Sequence, residues 1–99
     1  MYDIDTHVGK VSTVKLTNGV ELVCQILAVN KKEKILTVGN PKVVVINGEQ
    51  LALIPYSFTG LTEQVFLPLS SVHTVLETYK ESAEDYEKLL VKPDDNDDK

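Results

Sequence analysis

The clearest pattern in the chain is an alternation of apolar and polar residues on both sides of Asn18-Gly19. A period of two is typical of strands that bury one face. Asparagine and glycine also tolerate the positive φ angles of a two-residue type I′ turn. The pattern therefore predicts a β-hairpin whose buried face carries the even positions, Val14, Leu16, Val20, Leu22, Cys24 and Ile26.

More apolar runs follow the polar segment Asn30-Lys-Lys-Glu-Lys34, and each is short enough to be a strand. Prolines 41, 55 and 68 lie in or beside these runs. Because proline cannot donate to a sheet ladder, each should lie at a bulge, a strand end or an unpaired edge. The sequence therefore predicts an all-β domain that adds strands within residues 35–38, 43–46, 51–58 and 65–72.

The spacing changes after this β region, where apolar residues recur at the period of an α-helix. Thr78 or Ser82 could cap the start, and Pro93 follows the end. We predict a helix from about residue 80 to 91, buried either against its own barrel or against a neighbouring subunit. The residues of this stripe are Tyr79, Ala83, Tyr86, Leu89 and Leu90.

Length and composition indicate one domain of 99 residues. We divide it into an N-terminal extension (1–10), a β-barrel (11–77), a C-terminal helix (78–92) and an acidic tail (93–99). No apolar run reaches the roughly 18 residues of a membrane span and no signal peptide is recognisable, so we expect a soluble, cytoplasmic protein. The single cysteine, Cys24, is in phase with the buried face and is predicted to be a small core residue.

The net charge of −5 comes mostly from the C-terminal end of the chain. Residues 80–99 carry eight acids and four lysines, whereas residues 1–79 carry seven acids and six lysines. The aspartate-rich run 94–98 repels itself and is predicted to be disordered. The absence of arginine removes the side chain best suited to bidentate phosphate and base contacts, which weakens any nucleic-acid function.

The succession of strand, Asn-Gly turn, long strand and polar loop resembles the first motif of the Sm-like family, which includes Sm, LSm and Hfq proteins. The positions of Pro41, Pro55-Tyr56 and Phe66-Leu-Pro-Leu69 are also similar to those in divergent Sm-like proteins of marine bacteriophages. This resemblance spans residues 11–76. It implies a small, strongly bent, five-stranded barrel that forms a homo-oligomeric ring of about five to seven subunits, in a bacterial cytoplasm if the origin is a phage.

In the family, single-stranded RNA lies around the ring pore, held by the loops after the second and fourth strands. The family's aspartate position falls on Asn30 and its asparagine position on Lys34, while the stacking position falls on Lys32 or Glu33, neither of them aromatic. The nearest match to the second motif, Ile-Arg-Gly, is Phe58-Thr-Gly60. The resemblance thus implies an RNA site at Asn30, Lys31, Lys32, Lys34 and Gly60.

Two interpretations of the lysine segment remain open. Ring symmetry would repeat the lysines around the pore and concentrate positive potential, which attracts phosphates in a salt-dependent way. Alternatively, the segment is an ordinary solvated loop between two strands.

Ring formation in the family pairs the fourth strand of one subunit with the fifth strand of the next. An isolated small sheet with apolar edges is prone to aggregate, and closure into a ring removes those edges. The expected interface residues in this chain are Leu53, Tyr56, Phe58, Val65 and Leu67.

Catalytic patterns are weak. Asp3, Asp5 and His7 alternate and could share a metal-binding face, but a frayed polar start explains them more simply. His73 lies near two serines without an identifiable orienting acid. We therefore expect a non-enzymatic ring that binds RNA, without cofactor, metal or membrane partner. The alternative is a homo-oligomeric scaffold or protein-interaction ring with no nucleic-acid ligand.

Overall fold

The computed structural model describes residues 4–90, so the predictions for Asp3 and for residues 91–99 lie outside the described part. The described chain contains six strands, two short 3₁₀ turns and one α-helix. The predicted all-β class with a C-terminal helix is confirmed. The 3₁₀ turns are Ile4–His7 and Leu69–Ser71, the strands are β1 (Val11–Leu16), β2 (Glu21–Asn30), β3 (Ile35–Asn47), β4 (Gln50–Pro55), β5 (Val65–Pro68) and β6 (Val72–Glu77), and the helix is α1 (Lys80–Leu90).

The strands form one antiparallel sheet of order β4-β3-β2-β1-β6, and β5 pairs with β3 outside this path. The predicted count of five strands is therefore replaced by six. The apolar runs 35–38 and 43–46 belong to a single strand, β3, and the run 65–72 divides into β5 and the start of β6. The first part of β3 pairs with β5 and its second part pairs with β4.

The turn Leu69–Ser71 makes the sheet curl. It joins β5, which pairs with β3, to β6, which pairs with β1. Because the connection has only three residues, the outer side of β1 must approach the first part of β3. Within residues 4–90, β4 and β6 end the ladder without pairing with each other.

The first hairpin forms as predicted, but with a different turn. Only Gly19 has a positive φ, 93°, whereas Asn18 does not. The Asn18 side-chain oxygen accepts the Val20 N–H at 3.0 Å, and the Gly19 N–H donates to the Leu16 carbonyl at 3.0 Å. The predicted two-residue type I′ turn is therefore wrong, and the connection is a longer loop that ends at a positive-φ glycine.

The core lies on the face that the even positions of the hairpin predict. Val14, Leu22, Cys24 and Ile26 are completely buried. Ile4, from the N-terminal 3₁₀ turn, packs into the same cluster. The prediction of a frayed polar start is therefore wrong for this turn, because its one apolar side chain fixes it to the core.

The prolines lie where the ladder does not need their missing donors. Pro55 and Pro68 are the last residues of β4 and β5. Pro41 is buried, and it lies with Asn40 at the point where β2 and β3 shift register. Asn40 adopts a positive φ of 49°, so β3 carries a bulge here. The prediction of bulges and strand ends is confirmed.

The helix α1 packs against β2 of its own subunit. Tyr86 is completely buried, and its hydroxyl is placed to donate to the carbonyls of Gly39 (3.0 Å) and Asn40 (2.8 Å). Tyr79, in contrast, is 88% exposed and Leu89 is also exposed, so the chain's own sheet does not cover the predicted stripe at these two positions. Within residues 4–90, no helix is long and apolar enough to cross a membrane.

Replacing Tyr86 with phenylalanine should destabilise the fold, because two carbonyls of the β3 bulge would lose their hydroxyl partner. We expect a loss of roughly 1–2 kcal/mol in the free energy of unfolding, measured by urea denaturation. Tyr79→Phe is the matched control, since the hydroxyl of an exposed tyrosine contributes little. Equal stability of the two variants would show that the Tyr86 hydroxyl does not hold the helix.

The Cys24 thiol should be unreactive in the folded protein. Burial raises its pKa from 9.0 to about 12, which lowers the thiolate population at neutral pH roughly a thousandfold. Labelling with a thiol reagent at pH 7 should be slow in buffer and fast in urea. The same shift predicts that the contribution of Cys24 to the free energy of unfolding is constant below pH 9 and falls as the pH rises toward 12, because the unfolded state loses its thiol proton first. Rapid labelling in buffer would contradict this burial.

Candidate functional site

The predicted RNA-binding segment, Asn30–Lys34, forms the turn between β2 and β3, and we refer to it as the lysine turn. The Asn30 side-chain oxygen accepts the Glu33 N–H at 2.8 Å, and Lys34 has a positive φ of 61°. These features close the turn tightly. All three lysines are exposed, but the Asn30 side-chain oxygen already accepts a backbone hydrogen bond.

The N-terminal 3₁₀ turn lies beside the lysine turn. The Lys31 Nζ is 2.6 Å from the Asp5 carboxylate, and both side chains are more than half exposed. An ion pair this exposed contributes little to stability. It does offset one of the three positive charges on which the RNA prediction depends. Lys32 and Lys34 make no ion pair within residues 4–90, so they carry most of the remaining positive potential.

The second neighbour of the lysine turn is the 3₁₀ turn Leu69–Ser71, because the Leu69 N–H donates to the Lys34 carbonyl at 2.9 Å. Gly60 lies elsewhere. Its loop enters β5 at the end farther from the lysine turn, roughly 10 Å along the strand. The structure thus brings residues 30–34 next to residues 69–71, and it does not bring Gly60 to them.

The predicted interface residues fall into two groups. Phe58 is 83% exposed, Tyr56 is exposed and Leu53 is half-buried. Leu67 is only 5% exposed, and Val65 packs against the core. The difference arises because β5 pairs with β3 and directs Leu67 and Val65 into the core cluster. A charge at Leu67 would therefore unfold the subunit instead of testing an interface.

Exposed apolar side chains nevertheless concentrate near both ends of the sheet. Contiguous exposure of this kind marks interaction surfaces more often than scattered single residues do. We define the apolar edge as the group near β4 and the following loop, and a smaller group adjoins β6. The apolar edge contains Ile46, Leu51, Ile54, Tyr56, Phe58 and Leu61, and the smaller group contains Leu76 and Tyr79.

The histidine near the N-terminus has a structural contact. His7 Nδ1 lies 2.8 Å from the hydroxyl of Ser12, which is completely buried in β1. This contact helps fix the N-terminal 3₁₀ turn to the sheet. Among the described residues, no group of three or more histidine, cysteine or acidic side chains is placed to hold a metal ion.

Sequence reasoning missed two parts of this site. Asp5 was interpreted either as a metal ligand or, more simply, as part of a frayed polar start. The apolar residue beside it, Ile4, could have indicated a turn fixed to the core. Ser70 and Ser71 interrupt an apolar run after Pro68, which is a signal for a strand break. The N-terminal turn places the Asp5 carboxylate beside the lysine turn, and the strand break places the Leu69 N–H beside it.

The sequence matches no protein-family model and no curated protein. Among solved structures, a chain of the crystal structure of the NatC complex bound to CoA is similar to this one, with a TM-score of 0.50 and 19% identity. The match covers 87% of this chain and 96% of that chain. At this identity, the likeness concerns the arrangement of the backbone alone, and the two chains share a small β fold.

Proposed function

We propose that this chain is a non-catalytic Sm-like protein that assembles into a closed homo-oligomeric ring. The observation that carries the proposal is the pair of unpaired edge strands, β4 and β6, each adjoined by exposed apolar side chains. The curl imposed by the Leu69–Ser71 turn supports a small barrel of Sm-like type. So does the long strand β3, which is shared between β4 and β5.

The two edges have the properties of a head-to-tail interface. Every copy would offer β4 to one neighbour and β6 to the other, and such contacts close into a ring when the rotation between subunits permits. Pairing would satisfy the free backbone groups of both edges and cover the apolar edge. We place the seam at β6 rather than at β5, because Val65 and Leu67 pack into the core of the chain itself.

Single-stranded RNA is the ligand that the lysine turn supports best. Lys32 and Lys34 are exposed and make no ion pair among the described residues, so they can reach phosphates. Ring symmetry would repeat them around one rim. Because the Asn30 oxygen is engaged by the backbone and no aromatic side chain stands at the turn, phosphate contacts should dominate over base contacts. Binding should be weak and salt-dependent.

A scaffold ring without nucleic acid is the second candidate. Phe58 and Leu61 lie in the loop after β4 and are 83% and 91% exposed. Phe58 is assigned to the seam. If ring closure leaves Leu61 uncovered, that side chain offers an apolar contact to another protein. The Asp5–Lys31 ion pair also favours this function, because it lowers the positive charge available for RNA.

Ring formation predicts a defined oligomer at micromolar concentration in light scattering and native mass spectrometry. Phe58→Asp should dissociate it, because the substitution places a charge in the proposed seam without disturbing a residue that is exposed in the subunit. Leu89→Asp is the matched control on the exposed side of α1 and should leave the oligomer intact. A monomeric wild-type protein, or equal effects of both variants, would refute the proposed seam.

RNA binding should depend on the lysine turn and not on the overall charge. Changing Lys32 and Lys34 together to glutamate should weaken binding to single-stranded RNA at least tenfold and lower its salt dependence. Changing Lys80 and Lys88 to glutamate alters the net charge equally and should have little effect. Titration of fluorescent oligo-uridine and oligo-adenosine by anisotropy, at low and high salt, measures both.

The Asp5–Lys31 pair supplies a test in the opposite direction. Asp5→Asn should release a positive charge at the same rim, so we expect tighter RNA binding with an unchanged oligomeric state. If neither the wild-type protein nor the Asp5→Asn variant binds RNA at low salt, the RNA function is wrong. A ring that persists under those conditions would favour the scaffold function.

A further inference from the structure

A groove lies on the outer face of the sheet, opposite the core, between the start of α1 and the strand β4. It encloses about 190 Å³. Small-molecule sites usually measure roughly 300–1,000 Å³, so this groove suits one or two side chains of a macromolecular partner. Its lining comes from Thr13, Glu21, Val23, Val44, Leu51, Leu53, Leu76, Glu77, Thr78, Tyr79, Ser82 and Asp85.

The floor of the groove is apolar. Val23 is buried, and Val44 and Leu53 are directly opposite each other in the β3–β4 ladder. Leu51 and Leu76 lie at the two sides and remain 64% and 48% exposed. Leaving these side chains in contact with water is unfavourable, because burial of apolar surface is the main driving force for association. An apolar side chain inserted here would find an existing hydrophobic surface.

The rim of the groove is acidic. Glu21, Glu77 and Asp85 all lie along it. Glu21 has a cationic neighbour, Lys15, at 3.6 Å, but neither Glu77 nor Asp85 makes an ion pair within residues 4–90. The two unmatched carboxylates come from different elements, Glu77 from the end of β6 and Asp85 from α1. A ligand with positive charges beside its apolar groups would complement this arrangement.

Few segments of the chain have this chemistry. Residues 88–92, Lys-Leu-Leu-Val-Lys, combine apolar and cationic residues, but the first three of them are already held in α1. Residues 94–99 contain four aspartates and one lysine, and like charge disfavours their binding at an acidic rim. The lysine turn of a second copy has the required charge, but its three residues between Asn30 and Lys34 are all polar. Phe58 and Leu61 of a second copy are apolar but have no lysine beside them in sequence.

We propose that this groove binds a cationic amphipathic segment of another protein. Its apolar side chains would lie on the floor at Val44, Leu53 and Leu76, and its lysine or arginine side chains would pair with Glu77 and Asp85. The site is separate from the lysine turn, which has the opposite charge. It shares Leu51 with the apolar edge, and Leu76 and Tyr79 with the group beside β6, so a peptide and a ring contact would compete for these side chains.

The test uses the full chain and short fluorescent peptides in anisotropy titrations. The probe peptide contains leucine and lysine, a second replaces lysine with glutamate, and a third replaces leucine with serine. We expect measurable binding of the first peptide only. Excess oligo-uridine should not displace it, because RNA is assigned to the lysine turn on another part of the surface.

Charge variants locate the binding surface. Changing Glu77 and Asp85 together to lysine should weaken binding of the leucine-lysine peptide at least tenfold. Changing Glu63 and Glu84 to lysine alters the net charge equally, at exposed positions outside the groove lining, and should have little effect. The neutral variant Glu77→Gln with Asp85→Asn keeps the side-chain shapes, and it should weaken binding even if the lysine variant fails to fold.

Several results would overturn the proposal. Absence of binding by the leucine-lysine peptide would do so, and equal loss in both lysine variants would show nonspecific charge attraction. Equal binding of the serine-lysine peptide would show that the apolar floor has no role. If the groove variants change the subunit count while no peptide binds, the groove belongs to a contact between copies of this chain. The light-scattering and RNA measurements report separately on the ring and on its ligand.

Discussion

The brevity of the connection between β5 and β6 is the constraint on which this fold depends. Three residues, Leu69–Ser71, must carry the chain from a ladder on β3 to a ladder on β1. The sheet can satisfy both ladders only if it bends around a common interior. That bend brings Leu36, Leu67 and Val75, from three different strands, into one cluster with the first hairpin. It also places the Leu69 N–H against the lysine turn.

The hydrophobic pattern was informative where a segment has one buried face and regular geometry. The alternation around Asn18-Gly19 identified the hairpin and its inward positions, including Cys24. The alternation could not predict the turn type, because the turn depends on a local hydrogen bond between the Asn18 side chain and the Val20 N–H. A pattern of apolar and polar residues carries no information about such a bond. Nor could it divide residues 65–77, since β5 and β6 are both apolar and differ only in the strand with which they pair.

The same limits explain the helix and the candidate site. Tyr86 was predicted to be buried and is, because it lies inside α1, where helical spacing applies. Tyr79 lies before the helix begins at Lys80, so its spacing carries no information about which side it faces. The contact between Asp5 and Lys31 joins residues far apart in sequence, and a local pattern cannot encode it. The charged residues of a turn are therefore easier to identify from the sequence than the residues with which they form ion pairs.

The surface separates into regions of different character. The lysine turn is basic and polar, the apolar edge near β4 is uncharged, and the outer groove combines an apolar floor with carboxylates. The lysine turn joins β2 to β3, whereas the apolar edge and the groove adjoin each other at β4, where Leu51 belongs to both.

The bond from Tyr86 to the bulge of β3 has a consequence for how the chain folds during its synthesis. The carbonyls of Gly39 and Asn40 acquire their partner only when a residue near the end of the described chain has left the ribosome. Likewise, β1 can pair with β6 only after about sixty more residues have been synthesised. Contacts this distant in sequence slow folding. The nascent chain must therefore remain incompletely folded until β6 and α1 have left the ribosome, with strand edges exposed to chaperones in the meantime.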